Sequence, residues 1–266
     1  MEFRLLGPMD VHEQGRDITP TAPKQRQVLA LLLARANRRV SVGTLLTEVW
    51  ENGPPRTATT ALQTYIGSIR KTLAAATGAT VRAVAEQRLV TDGTGYVLRL
   101  ADDECDRPRF EQLVLEGRTL MTGNDPLRAT AVLGSALAMW RGAPFCNVRL
   151  GSQLSAQARV LNEAHLAACE VRVEALLRSR RFPEAVCESV ELIEEHPYHE
   201  NLHAQLMRAL YASGRRAAAL ETYQSLRRRM SDDLGIAPSP NTRTLHHVML
   251  QDLPDQRYLA LSGAVR

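Results

Sequence analysis

The sequence predicts a mainly α-helical chain in two parts: a small α+β part at the N-terminus, then an all-α part of stacked helical hairpins. Residues 57 to 96 read as a helix with one apolar and one small, polar and basic stripe, followed by a hairpin ending in Gly93-Thr94-Gly95-Tyr96. The excess positive charge lies entirely in residues 1 to 100, which hold 13 Lys plus Arg against 8 Asp plus Glu, while residues 101 to 266 hold 20 against 21. Beyond residue 102 no stretch alternates as a strand does, and a 34-residue self-similarity sets in.

The first twenty residues alternate and turn like short antiparallel strands: Phe3 and Leu5 share a face, Gly7-Pro8 turns, and Val11, Gly15 and Ile18 follow. From Ala22 to Asn37 the spacing of Val28, Leu29, Leu32, Leu33 and Ala36 is helical, with Pro23 suited to the first turn. Ser41 opens a second helix through Leu45, Leu46, Val49 and Trp50. The segment Glu51-Asn52-Gly53-Pro54-Pro55 cannot continue it, so a loop delivers the chain to a third helix, for which Thr57 or Thr59 is a cap. On this third helix Leu62, Ile66, Ile69 and Leu73 fall on one face with Tyr65 at its edge, the spacing of a helix docked on a core. The opposite face carries Thr60, Gln63, Thr64, Gly67 and Lys71, flanked by Ser68 and Arg70. β-prone stretches at 80 to 84, 88 to 91 and 96 to 100 complete the first part. Strands, three helices and a hairpin are the order of a winged helix with an extra N-terminal sheet.

Asp102-Asp103-Glu104 marks the junction, which divides the chain into domains 1–101 and 102–266. In the second, Asp125-Pro126 starts a helix that ends near Trp140-Arg141-Gly142, and a longer one covers Ser155 to Arg180. Ala185 and Ala219 are 34 residues apart, as are Arg180 and Gly214 at the preceding turn and Pro197 and Ser231 at the following one. That is the tetratricopeptide period, and Leu206, Leu210, Gly214, Ala219 and Tyr223 fall at its packing positions. Such stacks present a concave surface to a partner; a helical domain that only braces the first one or dimerises has the same pattern.

With 44% hydrophobic and 23% charged residues among 266, the composition is that of an ordinary globular chain with room for two cores. No apolar run approaches the ~20 residues that span a bilayer, and Met-Glu-Phe-Arg does not resemble a signal peptide, so a cytoplasmic protein is expected. Cys105, Cys146, Cys169 and Cys187 are far apart and form no CxxC pair, so neither a disulfide framework nor a metal ribbon is expected, only reduced thiols mostly buried in helices. The basic end would meet a polyanion first. Hydroxyl, amide and basic groups on a narrow helix face suit base edges and phosphates in a major groove, although an ordinary solvated helix also carries such a stripe.

One enzymatic alternative has a foothold. His199-Glu200-Asn201-Leu202-His203 matches HExxH, in which two histidines one turn apart hold zinc and the glutamate acts as general base. The stretch directly follows Pro197, no third ligand follows at a metzincin-like spacing, and the repeat pattern already explains it as a helix start. Neither a metal site, a cofactor nor a catalytic residue is therefore expected.

With both halves in view, the chain resembles the Streptomyces antibiotic regulatory protein family over almost its full length. The resemblance rests on Met1 to Gly7, Pro23 to Leu33, Leu62 to Leu73 and Gly95 to Arg99 in the first half. In the second it rests on Ala138 to Gly142, Glu195 to Pro197, Ala204 to Arg215 and Leu234 to Pro240. It implies an OmpR-like winged helix joined to a bacterial transcriptional activation domain of tetratricopeptide-like helices. It also implies an activator of a biosynthetic gene cluster that binds direct repeats overlapping a −35 element, as a dimer on double-stranded DNA, and recruits RNA polymerase through its sigma factor and alpha subunit. A repressor that blocks the promoter would share every DNA-binding feature. In this reading Thr60, Gln63, Thr64 and Gly67 face the bases, Lys24, Arg26, Arg56, Arg70 and Lys71 lie toward phosphates, and Thr57 and Ser68 belong to the same DNA-binding surface. Many OmpR-like wings carry an arginine just before Gly-x-Gly, where this chain has Asp92, so the grip of the wing either falls to Arg88 or Thr91 or is weak. By analogy with OmpR-like proteins, the loop from Glu48 to Pro55 is the candidate polymerase contact, with Glu48, Glu51 and Asn52 available and Trp50 expected to pack inward at its base.

Overall fold

The computed structural model describes residues 1–51 and 53–251. Two compact units emerge: residues 1–115 with 135–166, and 116–134 with 167 onward.

Unit one begins with an antiparallel sheet of β1 (Glu2–Arg4), β2 (Asp10–Glu13) and β3 (Arg16–Asp17), in that order, with Phe3 opposite Val11. Gln14 and Gly15 join β2 to β3 with φ of 50° and 77°, the pair of positive values that a tight two-residue hairpin requires. Helices α1 (Pro23–Ala34), α2 (Val42–Trp50) and α3 (Ala58–Thr77) follow, with the two-residue strand β4 (Val40–Ser41) between the first two. Ser41 caps α2 by accepting from the Thr44 amide at 3.0 Å. Val28, Leu29, Leu32, Leu45, Leu62, Ile66 and Ile69 are all buried, so the apolar stripes of the three helices form this core.

The β-prone stretch at 80 to 84 is instead helix α4 (Val81–Gln87). The Thr80 side chain accepts from the Ala83 amide at 3.1 Å, so a residue that favours strands here serves as a helix cap. Strands β5 (Leu89–Asp92) and β6 (Gly95–Leu98) then form the wing in a sheet of order β4-β6-β5.

The compact unit one extends past residue 101. The carboxylate of Asp106, at the start of α5 (Asp106–Thr122), accepts from the Leu5 amide at 2.8 Å and the Leu6 amide at 3.0 Å. Asn147 exchanges two hydrogen bonds with the Met9 backbone, and Trp140 packs edge-on to Phe110 with ring centroids 5.3 Å apart. The hydrogen bonds from Asp106 and Asn147 close over 100 or more positions of sequence, which is why local composition did not reveal them.

In unit two, α6 (Pro126–Leu137) contributes through Gly134, α7 (Ser152–Arg178) contributes from Ala167, and α8 (Phe182–Glu195), α9 (Glu200–Ala212), α10 (Arg216–Leu234) and α11 (Pro240–Leu250) follow. Three hairpins turn in the same way. Asn124, Arg180 and Gly214 have φ of 60°, 59° and 76°, and the next amide in each case bonds the carbonyl five residues back: Asp125 to Leu120, Arg181 to Leu176 and Arg215 to Leu210, all at 2.9 Å. Five residues beyond each turn residue stands an alanine with 0% exposure, Ala129, Ala185 and Ala219, small because helices cross closely there. Gly117 is constrained likewise, since a Cβ on it would lie 2.6 Å from the Leu133 side chain. The hairpin at Asn124 is a third copy, hidden from a fixed-period search because the 27-residue α7 intervenes before the next.

Cys105 and Cys169 are buried, and desolvation pushes both thiols up to about 12, whereas Cys146 and Cys187 are exposed, contrary to the expectation that most are buried. Among the described residues no helix is long and apolar enough to cross a membrane.

Candidate nucleic-acid interface

The alternation of apolar and polar positions along α3 sets its orientation. Leu62, Ile66, Ile69 and Leu73 are at most 2% exposed, which turns Thr60, Gln63, Thr64 and Lys71 outward. The side chains of Gln63 and Lys71 make no hydrogen bond or ion pair among the described residues, and the Thr64 hydroxyl only donates back to the Thr60 carbonyl at 3.0 Å. Gly67 lies in the middle of this stripe, and a Cβ on it would meet nothing within 4 Å. Packing therefore does not demand a glycine there; its effect is a bare stretch of helix that allows close approach. Ser68 sits at the stripe's edge and donates to the Gln25 side chain on α1 at 3.1 Å. Thr57 occupies the N-cap position without a side-chain capping bond and is exposed, as is Arg56.

Several basic side chains are engaged within the protein. Arg70 donates to the Leu89 carbonyl at 2.9 and 2.7 Å and to the Thr91 hydroxyl at 2.9 Å, bolting α3 to the wing. Burial lowers its guanidinium below the usual value, with neighbouring Tyr96 opposing that shift. Arg26 donates to the carbonyls of Pro20 at 2.9 Å and Asn147 at 3.2 Å. Arg88, a candidate for the wing's grip, is instead paired with the Glu104 carboxylate and bonds the Arg99 carbonyl. Burial alone would raise Glu104, but its hydrogen bonds from Arg88 and the Ala101 amide outweigh this and hold the carboxyl below its usual value. The cations left toward solvent on this side include Lys71, Arg56 and Lys24, whose ammonium stands 4.6 Å over the Trp50 ring.

The segment from Glu48 departs from its expected use: Glu48 and Trp50 still belong to α2, and the loop starts only at Glu51. Glu48 is 1% exposed, and its carboxylate accepts from the amides of Gly151 at 2.7 Å, Gln153 at 2.8 Å and Leu154 at 3.3 Å, capping the start of α7. A buried carboxylate spent on three amides is not a surface contact, and a Cβ on Gly151 would fall 2.4 Å from the Glu48 carbonyl. Trp50 is half-buried and stacks on Tyr65 at 6.1 Å between centroids. Glu51 is exposed, with φ of 52°, and pairs with Arg149 at 3.5 Å. Asn52 lies outside the described residues.

The HExxH stretch is occupied by structural bonds. Glu200 accepts from the Ser239 amide and the Thr242 hydroxyl, both at 2.7 Å, tying α9 to α11. The ring nitrogen Nε2 of His203 bonds the Pro197 carbonyl at 3.0 Å. Among the described residues no three His, Cys, Asp or Glu side chains are grouped to hold a metal.

Residues 15–98 match the family described as "Transcriptional regulatory protein, C terminal", and residues 105–250 match "Bacterial transcriptional activator domain". The chain is 37% identical to the regulatory protein DnrI of Streptomyces peucetius, over 96% of this chain and 93% of that one. It is 34% identical to the transcriptional regulatory protein EmbR of Mycobacterium tuberculosis, again over 96% of this chain but only 64% of the relative. The solved structure of Mycobacterium tuberculosis EmbR in complex with a low-affinity phosphopeptide superposes with a TM-score of 0.90 at 33% identity, covering 98% of this chain and 67% of that one.

Proposed function

The chain belongs to the Streptomyces antibiotic regulatory protein family of transcriptional regulators, and on that premise we propose that it is a sequence-specific activator of a secondary-metabolite gene cluster. The observation that carries the proposal is the stripe on α3. Thr60, Gln63, Thr64 and Lys71 share one exposed face beside the wing with the half-buried Gly67 among them, and the opposite face is locked into the core. Laid in a major groove, Gln63 pairs bidentately with adenine, and the threonine methyls meet thymine methyls. Lys71, Arg56 and Lys24 contact phosphates, which sets position rather than sequence. Two protomers bind direct repeats in tandem, spaced by about one helical turn or a multiple of it, ~10 to 11 base pairs, beside a −35 element. RNA polymerase, through its sigma factor and alpha subunit, meets the end of α2 at Trp50 and the loop that follows from Glu51.

The test has two stages. The purified protein is incubated with sheared DNA from its source genome, and the retained fragments are sequenced; a tandem direct repeat should be enriched. Transcription from such a fragment with purified polymerase then separates activation from promoter blocking. Glu51→Ala should keep DNA binding and lose activation. Equal loss of both would remove the loop from the proposal, and lower transcription on adding the wild-type protein would make it a repressor.

A further inference from the structure

We infer that the cation this protein presents to DNA at its wing is Arg39, delivered from the connection before β4 and not from the wing's own strands. The inference rests on the DNA-binding reading above and adds the residue that reading leaves open. The tip of the wing, from Asp92 to Thr94, is exposed, contains no basic residue and carries the acidic Asp92. The two arginines that reach the wing's strands are committed elsewhere, Arg70 to Leu89 and Thr91 and Arg88 to Glu104.

Arg39 comes to the tip by a route that Gly95 keeps open. Strand β4 pairs with β6 so that Val40 lies opposite Tyr96 and Ser41 opposite Gly95. A Cβ on Gly95 would lie 2.5 Å from the Val40 carbonyl oxygen and 3.0 Å from Arg39 Cγ, so only glycine lets the arginine stem cross here. Beyond it, the Arg39 Nη1 atom stands 3.7 Å from where a Cβ of Gly93 would be, at the turn itself. Arg39 and its neighbour Arg38 are exposed, and neither side chain makes a hydrogen bond or ion pair among the described residues. Both also line a cavity of about 570 Å³ in unit one with Arg35 and Arg107. Of these, Arg107 is balanced by Glu111 at 2.7 Å and Arg35 bonds the neutral Gln153 side chain, so the local field stays positive despite Asp92. An exposed guanidinium with no hydrogen bond or ion pair among the described residues, at a wing tip, suits a phosphate or the narrow minor groove beside it.

The measurement is the salt dependence of binding by the full chain to a mixed-sequence duplex of about 30 base pairs. Arg39→Ala should reduce the slope of log K against log salt by about 0.9, so that the affinity lost between about 50 and 200 mM salt becomes roughly 3.5-fold smaller. Arg39→Lys should restore most of the slope, and Asp92→Asn should tighten binding at low salt. Arg82→Ala, which removes an exposed cation already paired with Glu86, should change neither. An unchanged thermal midpoint in Arg39→Ala would exclude a folding effect. If Arg39→Ala keeps the wild-type slope while Lys71→Ala loses about one unit, α3 binds DNA and the assignment of Arg39 is wrong. If the wild-type protein shows no salt-dependent binding at all, the DNA-binding reading fails and this inference fails with it.

Discussion

Along α3 the side chains of Gln63 and Lys71 are exposed and bond nothing among the described residues, whereas along α9 those of Glu200, His203, Gln205 and Arg208 are engaged inside unit two. Arg208 is 3% exposed and pairs with Glu174 at 2.9 Å, and Gln205 donates to the Glu170 carbonyl at 2.9 Å. Both helices carry polar groups at helical spacing, and α9 even holds a motif associated with metal chemistry. The difference lies in what their polar groups bond. Groups bonded inside the unit stabilise a hairpin, and groups left in solvent on a rigid helix are free to meet a ligand. The distinction is energetic, so substitutions on the two helices should affect different observables.

The largest effect is expected on α9. Arg208→Ala should empty a site only 3% exposed and remove one of the two arginines paired with Glu174, Arg178 staying at 3.0 Å, and so destabilise the fold by about 3 kcal/mol, measured by denaturant unfolding. DNA affinity of the folded fraction should be unchanged; a stable variant would show that the ion pair is dispensable. Next comes Glu48→Ala, which strips acceptors from three amides at the start of α7 and should cost about 2 kcal/mol of stability without a direct loss of polymerase contact. On α3 the pattern reverses. Gln63→Ala should weaken binding to an enriched site by about 1 to 3 kcal/mol and shift stability by less than about 0.5 kcal/mol.

The smallest effect is a pH dependence confined to α9. Burial lowers His203 below its ordinary 6.5, with the Pro197 bond opposing the shift, so the folded protein holds the ring neutral where the unfolded chain binds a proton. Stability is then full above the unfolded value and declines as pH falls below 6.5 toward the lowered folded value. His203→Gln, which keeps a donor for the Pro197 carbonyl, should flatten that decline in thermal midpoints measured across the range. An equally steep decline in the variant would assign it to other groups.

Much of this was legible from residues alone. The apolar stripes of α1, α2 and α3 and the wing hairpin have strong local periodicity, and the turn at Gly214 repeats the one at Arg180 at a fixed interval. Strand β4 was missed because two residues carry no period, and Thr80 was misread because a capping hydroxyl and a strand-forming side chain look alike in sequence. At the candidate site, residue type on α3 sufficed to find the exposed stripe. It did not reveal that Arg70, Arg88 and Glu48 are committed, since their partners Leu89, Glu104 and Gly151 lie 16 to 103 positions away. Arg39 escaped for the same reason in reverse: only the passage over Gly95 brings it to the wing.

The most direct measurement compares genomic fragments retained by the wild-type protein with those retained by Gln63→Ala under the same salt. Base reading by α3 predicts that the wild type enriches a tandem repeat, and that the variant still binds DNA with nearly the same salt slope but loses or changes the preferred base at the position Gln63 reads. Identical enriched sequences from both proteins would contradict it, and would place recognition on another surface of the chain.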